Sequence, residues 1–197
     1  MPIMLVLQRT EARLVRWRVR LTALVIVLLV ALWLWSDLKP HSLIYPNDLG
    51  ASVGLSLALT GLAIRSWAAG VLSKNSRLTT VGPYAIVRNP LYVGSFLIMA
   101  GMMTLLNFHV VAFAVLVPLG VLYFLQIRSE EVFLAKEYGK QWHAYARRVP
   151  RLLPFFNLKR ALTPWTFRAW CKNREYRALA AVIVGVIVVE LGSEVLS

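Results

Sequence analysis

The chain is organised around residues 82–94, which read Gly-Pro-Tyr-Ala-Ile-Val-Arg-Asn-Pro-Leu-Tyr-Val-Gly. Pro83 and Pro90 lack a backbone N–H donor and disfavour the helical conformation in the residue before each, so no regular helix runs through this stretch. Pro90 is instead well placed to begin a helix. Because a long apolar run follows it directly, we expect this polar stretch to lie where the chain meets one face of a membrane.

The composition is that of a membrane protein. Of the 197 residues 58% are hydrophobic, and the mean hydropathy of +0.63 is well above that of soluble domains. The net charge is +13, but the basic residues lie between long apolar runs and no nucleic-acid-binding signature accompanies them. We therefore interpret them as topology and anionic-lipid signals and expect no nucleic-acid partner. The single cysteine, Cys171, excludes an internal disulfide.

Apolar runs predict about five membrane-spanning helices. The third and fourth runs have 16 or 17 residues, just enough to cross a bilayer core of about 30 Å. The sequence therefore predicts an all-α polytopic membrane protein in which residues 1–197 form a single membrane domain. The predicted spans are residues 21–35, 49–72, 91–106, 110–126 and 178–196, and the predicted cytosolic helical region comprises residues 73–90 and 127–177.

The distribution of basic residues orients these spans. With the N-terminus inside, residues 1–20, 73–90 and 127–177 are inside and hold 20 of the 22 Lys and Arg residues. Only Lys39 and Arg65 fall elsewhere. The positive-inside rule therefore predicts a multi-pass protein, as in a bacterial inner membrane, with the N-terminus in the cytoplasm and the C-terminus outside.

A second polar tract, residues 128–154, lies on the same predicted face as the first. A stripe with helical spacing continues past the fourth span, and Gly139 is predicted to interrupt it. An amphipathic helix on the bilayer surface is the alternative, but it does not account for the adjacent acids Glu130 and Glu131 at an anionic surface. The stripe consists of Ile127, Glu131, Leu134, Tyr138, Trp142 and Tyr145.

Ionisable residues at a membrane edge are functional candidates by default. Arg128 lies three residues before Glu131, so their side chains share a helix face and can reach each other or a common ligand. For Arg65 the alternative to a functional role is that it extends along the helix to the inside face. The three histidines lie in three different segments, so no metal site is predicted.

Together these motifs resemble the C-terminal signature of the isoprenylcysteine carboxyl methyltransferase family. The resemblance covers about residues 61–156, with Arg65-x-Trp67-Ala68 similar to the span before the signature. Related signatures occur in membrane phospholipid N-methyltransferases and, more loosely, in sterol reductases. The matching residues are Gly82-Pro83-Tyr84, Arg88-Asn89-Pro90-x-Tyr92-x-Gly94, Glu130-Glu131-x-x-Leu134, Tyr138-Gly139, Tyr145 and Val149-Pro150-Arg151-x-x-Pro154.

The resemblance implies an enzyme that binds S-adenosylmethionine between cytosolic loops and helix ends. Catalytic roles would fall to Arg128, Glu130 and Glu131, and substrate contacts to Arg65 and Trp67. The family usually has His where this chain has Asn89, and an amide cannot take up a proton near neutral pH. The residues implied to bind the cofactor are Gly82, Pro83, Tyr84, Arg88, Asn89, Pro90, Tyr92, Tyr138 and Tyr145.

The expected reaction is methyl transfer to a lipophilic acceptor in the membrane, with membrane lipids as the other partners. A carboxylate acceptor, as in protein-S-isoprenylcysteine O-methyltransferases, is the first expectation and needs no base. An amine acceptor, as in phospholipid N-methyltransferases, must lose a proton, which would make Glu130 or Glu131 a general base. The sequence leaves open which of the two faces the site. An NADPH-dependent enzyme of the sterol-reductase type is the remaining alternative.

Overall fold

A computed structural model describes residues 39–44, 47–73, 78–152 and 164–195. Every regular element within these residues is a helix, which agrees with the predicted all-α class. The elements in chain order are α1 (Leu49–Val71), a 3-10 helix (Gly82–Ala85), α2 (Pro90–Leu105), α3 (His109–Ala146), α4 (Phe167–Lys172) and α5 (Tyr176–Val195).

Three helices in the described residues are long and apolar enough to cross a membrane. They are α1, the part of α3 from Val111–Ala146, and α5. Helix α2 is apolar but has only 16 residues. The predicted span at residues 21–35 lies outside the described residues, so the count of five spans stays a prediction.

Helices α1 and α2 pack against each other through glycines. A Cβ atom on Gly61 would lie 2.5 Å from the carbonyl oxygen of Gly94, and one on Gly101 would lie 2.5 Å from that of Gly54. Such close backbone contact is typical of helix pairs in membranes, where small residues allow favourable dispersion contacts. Gly94 therefore fixes α2 against α1, and it also leaves room for the side chain of Arg65.

Helix α3 does not end where the fourth span was predicted to end. It continues from the membrane-spanning part to Ala146, as the stripe of residues 127–145 indicates. Gly139 interrupts the helical backbone with φ 47° and ψ −119°, a conformation that favours glycine, so the predicted interruption is confirmed. The change of direction at Gly139 carries Trp142 and Tyr145 back toward the 3-10 helix.

Candidate functional site

The fold brings the two polar tracts together. The backbone N–H of Arg88 donates to the carbonyl of Pro150 at 2.9 Å, and Nδ2 of Asn89 donates to the carbonyl of Arg151 at 3.1 Å. The buried hydroxyl of Tyr145 donates to the carbonyl of Tyr84 at 2.8 Å. Residues 82–90 and the chain after α3 therefore form one connected structure at the same end of the helices.

Three charged side chains at this junction form what we call the Glu131 cluster, which comprises Arg88, Glu131 and Arg151. Nη1 of Arg88 lies 3.1 Å from Oε1 of Glu131, and Nε and Nη2 of Arg151 donate to Oε2 at 3.0 and 2.7 Å. These hydrogen bonds to Glu131 raise the pKa of Arg151. Glu131 is 8% exposed, so one nearly buried carboxylate is shared by two guanidinium groups and the cluster has one excess positive charge.

Arg128 does not pair with Glu131, so the direct contact that their spacing permits is not made. No ion pair joins them in the described residues, and the guanidinium of Arg128 lies over the ring of Phe124 at 5.9 Å. The reason is that Glu131 and Ile127 point inward together whereas Arg128 is exposed. Both carboxylate oxygens of Glu131 are instead engaged by arginines that arrive from the loops.

Glu130 has a different environment from Glu131 although the two are adjacent. Its Oε1 accepts hydrogen bonds from the hydroxyl of Tyr92 at 2.6 Å and from Nε2 of Gln126 at 3.1 Å. No ion pair to Glu130 occurs within the described part of the chain. Neutral donors therefore hold Glu130, whereas cations hold Glu131.

Three buried polar atoms in the site have no hydrogen-bond partner among the described residues. They are the hydroxyl of Tyr84, Nε of Arg88 and Oε1 of Glu131, which Arg88 contacts only as an ion pair. Burial also raises the pKa of Tyr84, so its hydroxyl remains protonated. Because buried polar groups are almost always paired in proteins, the Tyr84 hydroxyl and Nε of Arg88 are two donors that a polar ligand could engage.

Aromatic rings and restricted residues form the wall of the site. The guanidinium of Arg88 lies 5.8 Å from the ring centre of Trp142, whose ring meets that of Tyr145 edge-on at 5.6 Å. Tyr138 is half-buried on the same helix. The remaining residues that were predicted to bind the cofactor are buried in the 3-10 helix and at the start of α2. They are Gly82, Pro83 and Pro90.

A cleft of about 280 Å³ opens beside the Glu131 cluster. Arg88 belongs to the cluster and also lines the cleft. The other lining residues are at the end of α3 and in the turn that follows it. Two more arginines, both exposed, therefore contribute to the lining of the cleft. The lining residues are Arg88, Ala146, Arg147, Arg148, Val149 and Pro150.

Arg65, predicted to contact substrate, is engaged by a residue that the sequence reasoning missed. Its Nε and Nη2 donate to the two oxygens of Glu175 at 2.7 and 2.9 Å, and Nη1 donates to the hydroxyl of Ser95. Glu175 is 3% exposed. It is the one acid between residues 159 and 177, and this isolation in a basic tract was the available signal. Trp67 is half-buried on α1 and makes no hydrogen bond to another described residue.

The fold and the site define an α-helical membrane protein with a buried polar centre at one end of its helices. The model of the phospholipid methyltransferase family matches residues 51–141, which includes most of α1, all of α2 and most of α3. No solved structure matches the chain.

Curated relatives have two kinds of name. The cobalt-zinc-cadmium resistance protein CzcN of Cupriavidus metallidurans is 33% identical over 159 residues, covering 80% of this chain and 70% of the relative. The nickel-cobalt-cadmium resistance protein NccN of Alcaligenes xylosoxydans xylosoxydans is 29% identical over 154 residues, covering 77% and 69%. Protein-S-isoprenylcysteine O-methyltransferase B of Arabidopsis thaliana is 33% identical over 84 residues, covering 43% of each chain.

The chain belongs to the family of membrane methyltransferases that includes phospholipid methyltransferases and isoprenylcysteine O-methyltransferases. The family resemblance inferred from the sequence is thereby confirmed. Within the described residues, no group of three or more His, Cys, Asp or Glu side chains lies close enough to hold a metal ion.

Proposed function

We propose that the protein transfers a methyl group from S-adenosylmethionine to a lipophilic acceptor that resides in the membrane. The observation that supports the proposal is the Glu131 cluster at the end of apolar helices, together with two buried donors that have no hydrogen-bond partner, Nε of Arg88 and the Tyr84 hydroxyl. A water-soluble donor would approach these atoms from the loop side. A lipophilic acceptor would approach from the bilayer side.

The unpaired atoms fit the amino-acid end of S-adenosylmethionine, which carries one carboxylate and one ammonium group. Nε of Arg88 and the Tyr84 hydroxyl are donors suited to the carboxylate, and Oε1 of Glu131 is an acceptor suited to the ammonium. Trp142 and Tyr138 offer aromatic surface for the adenine. When bound, S-adenosylmethionine supplies a methyl group on a positively charged sulfur, which a nucleophilic oxygen or nitrogen can take up.

The residues of the chain contribute position and exclusion of water. Arg151 holds Glu131 through two hydrogen bonds, and Glu131 in turn fixes the guanidinium of Arg88. Alignment of reactants in a site without bulk water is the main contribution that a protein makes to a direct displacement. These three side chains therefore bind and orient, and none of them needs to transfer a proton.

We propose a carboxylate as the acceptor group, as the name of the Arabidopsis relative suggests, with an amine as the second candidate. The excess positive charge of the Glu131 cluster and the nearby Arg147 and Arg148 favour an anionic acceptor. An amine would need a base, and Glu130 is the better placed acid because neutral donors occupy only its Oε1. Arg65 with Trp67 remains the proposed substrate-binding side of the molecule.

Ligand-dependent thermal stabilisation of the purified protein in detergent tests the donor. S-adenosylmethionine and S-adenosylhomocysteine should both raise the unfolding temperature, because a ligand that binds only the folded state stabilises it. Tyr84→Phe is the matched variant: it removes only the unpaired hydroxyl, and we expect it to weaken the stabilisation several-fold while leaving the unliganded protein unchanged. Stabilisation by NADPH alone would instead indicate a reductase of the sterol-reductase type.

Acceptors are then distinguished with labelled S-adenosylmethionine and two sets of lipophilic compounds, prenylated cysteines and aminophospholipids. Transfer to the carboxylates supports the first candidate, and transfer to the amines supports the second. The names of the CzcN and NccN relatives suggest a physiological assay as well. Growth of a deletion strain with and without cobalt or cadmium, complemented by wild type or Glu131→Gln, would connect resistance to the proposed activity.

For the topology we propose five spans in a bacterial inner membrane with the N-terminus inside. The 20-to-2 partition of basic residues supports it. A reporter fused after Ser197 should be found outside and one inserted at Lys159 inside. Both reporters on one side would exclude α5 as a span.

A further inference from the structure

We infer that residues 165–177, here called the 165–177 segment, form a binding surface for anionic phospholipid headgroups at the bilayer boundary. The segment comprises two residues before α4, α4 itself, the residues that join it to α5 and the first two residues of α5. The inference is independent of the proposed methyl transfer, because it concerns a surface outside the Glu131 cluster.

The ends of two candidate spans place this segment at the membrane boundary. Helix α5 begins at Tyr176 and has 20 residues, a length of about 30 Å, which matches the hydrocarbon core of a bilayer. Helix α1 ends at Val71, and the N–H of Thr166 donates to the carbonyl of Gly70 at 3.0 Å. The 165–177 segment therefore joins the ends of two spans on one side of the bilayer.

Hydrogen bonds hold the segment firmly on the end of α1. Nδ2 of Asn173 donates to the carbonyls of Ala69 and Leu72 at 2.8 and 3.1 Å. The indole N–H of Trp165 donates to the carbonyl of Ser66 at 2.9 Å. Carbonyls in the last turn of a helix have no partner within that helix, so the segment satisfies groups that would otherwise be unpaired. The surface is thus formed before any lipid binds.

The outward side chains are aromatic and basic. Trp165 and Phe167 are 45% and 64% exposed, and Phe167 stacks on Trp170 with ring centres 5.5 Å apart. Arg168 and Lys172 are both exposed and lie four residues apart, so they share one face of α4. Aromatic residues at a span end are typical of the lipid headgroup region.

The acid of the segment does not cancel this positive charge. Glu175 is buried and paired with Arg65, whereas Arg174 and Arg177 on either side of it are exposed. The surface therefore presents four cations and no exposed carboxylate. Phosphodiester groups of anionic lipids complement it in charge, and guanidinium groups match the geometry of phosphate oxygens. Exposed aromatic rings beside the cations favour a lipid headgroup over a soluble polyanion, which would leave those rings in water.

Lipid retention by the full-length protein tests the inference. The protein is purified in neutral detergent containing equal amounts of phosphatidylglycerol and phosphatidylcholine, and bound lipid is counted by native mass spectrometry. We expect the wild type to retain several times more phosphatidylglycerol than phosphatidylcholine. Arg168→Gln/Lys172→Gln should reduce phosphatidylglycerol retention at least fivefold.

The matched control is Lys136→Gln/Lys140→Gln, which removes two exposed cations four residues apart on α3. We expect the control to change retention less than twofold. Equal retention of the two lipids by the wild type, or equal losses in the two variants, would overturn the inference. Displacement of the lipid by soluble glycerol phosphate at similar concentration would do so as well, because it would indicate a soluble phosphate ligand. The assay needs neither methyl donor nor acceptor, so its failure would leave the proposed function untouched.

Discussion

Glu131 and Glu175 are both nearly buried and both paired with arginine, yet they differ in the number of arginines that they face and in their hydrogen bonds. Arg65 engages both oxygens of Glu175 through two nitrogens, so this pair is balanced in charge and in hydrogen bonds. Glu131 faces two guanidinium groups and still has one oxygen without a hydrogen bond. The balanced pair joins helices, whereas the unbalanced cluster is where we propose that a ligand binds.

The positions of the two acids agree with this division. Arg65 and Glu175 connect α1 with the start of α5, and Ser95 adds α2 to the same contact. Glu131 instead connects α3 with two loop arginines beside an open cleft. Replacing either acid should therefore affect different properties of the protein.

Glu175→Leu should give the largest effect, and the effect should be on stability. The change leaves the guanidinium of Arg65, which is only 22% exposed, without its counter-ion. Breaking a buried ion pair costs about 3 to 5 kcal/mol, and the partial exposure of Arg65 places the expected loss near 3 kcal/mol. Denaturant unfolding in detergent measures it. The control is Arg65→Leu/Glu175→Leu, which should recover most of the loss, because a pair replaced by apolar residues leaves no unpaired charge. If the double variant is as unstable as Glu175→Leu, the loss of stability does not come from the unpaired charge of Arg65.

Glu131→Gln should lower activity far more than it lowers stability, because the amide oxygen can still accept a hydrogen bond from an arginine. The amide keeps the shape but cannot neutralise Arg88 and Arg151 together, so both guanidinium groups lose their fixed positions. We expect methyl transfer to fall at least about a hundredfold, the scale for loss of a positioned polar group, in a protein that still folds. Activity and unfolding temperature are measured on the same sample. Glu137→Gln, an exposed acid on the same helix, serves as control and should keep full activity. Near-normal turnover in Glu131→Gln would remove the cluster from the active centre.

Much of the fold could be predicted from local signals. Pro90 begins α2, Gly139 interrupts α3, and the apolar runs coincide with α1 and α5. Each of these depends on backbone restriction or on hydropathy, which are properties of short stretches. The stripe of residues 127–145 likewise predicted that the helix continues past the fourth span, as α3 does up to the interruption at Gly139.

The contacts of the site were less predictable, because they depend on residues far apart in sequence. The family resemblance selected Arg88 and Glu131 as site residues but gave Arg151 no role in the site, and sequence spacing suggested Arg128 as the partner of Glu131. A spacing of three residues permits contact on a helix and does not require it. Glu175 was missed because its partner Arg65 lies 110 residues away.

A substitution of Asn89 tests the contribution of the loops to the Glu131 cluster, and we expect an effect of intermediate size. Its Nδ2 donates to the carbonyl of Arg151 and so helps to place an arginine of the Glu131 cluster. Asn89→Leu leaves that carbonyl unpaired, which should lower stability by about 1 to 3 kcal/mol, and we expect the less firmly placed Arg151 to weaken binding of S-adenosylmethionine. Asn89→His can still donate and should bind within a few fold of wild type. Isothermal titration calorimetry with S-adenosylmethionine measures the affinity of the three proteins. Equal affinity of the wild type and Asn89→Leu would show that Asn89 is not part of the site.

Arg128→Gln should have the smallest effect. It tests the finding that Arg151, and not Arg128, pairs with Glu131. Arg128 is exposed, and its one described contact is with the ring of Phe124, which also lies 5.4 Å from the guanidinium of Arg151. A cation over an aromatic ring at an exposed site contributes about 0.5 to 1 kcal/mol, so stability should fall by no more than that. Arg151→Gln is the matched comparison, because it removes a guanidinium from the same ring and also from Glu131. We expect Arg128→Gln to keep methyl transfer within about threefold, since no atom of the Glu131 cluster moves. A loss in Arg128→Gln as large as in Arg151→Gln would mean that Arg128 reaches the ligand directly.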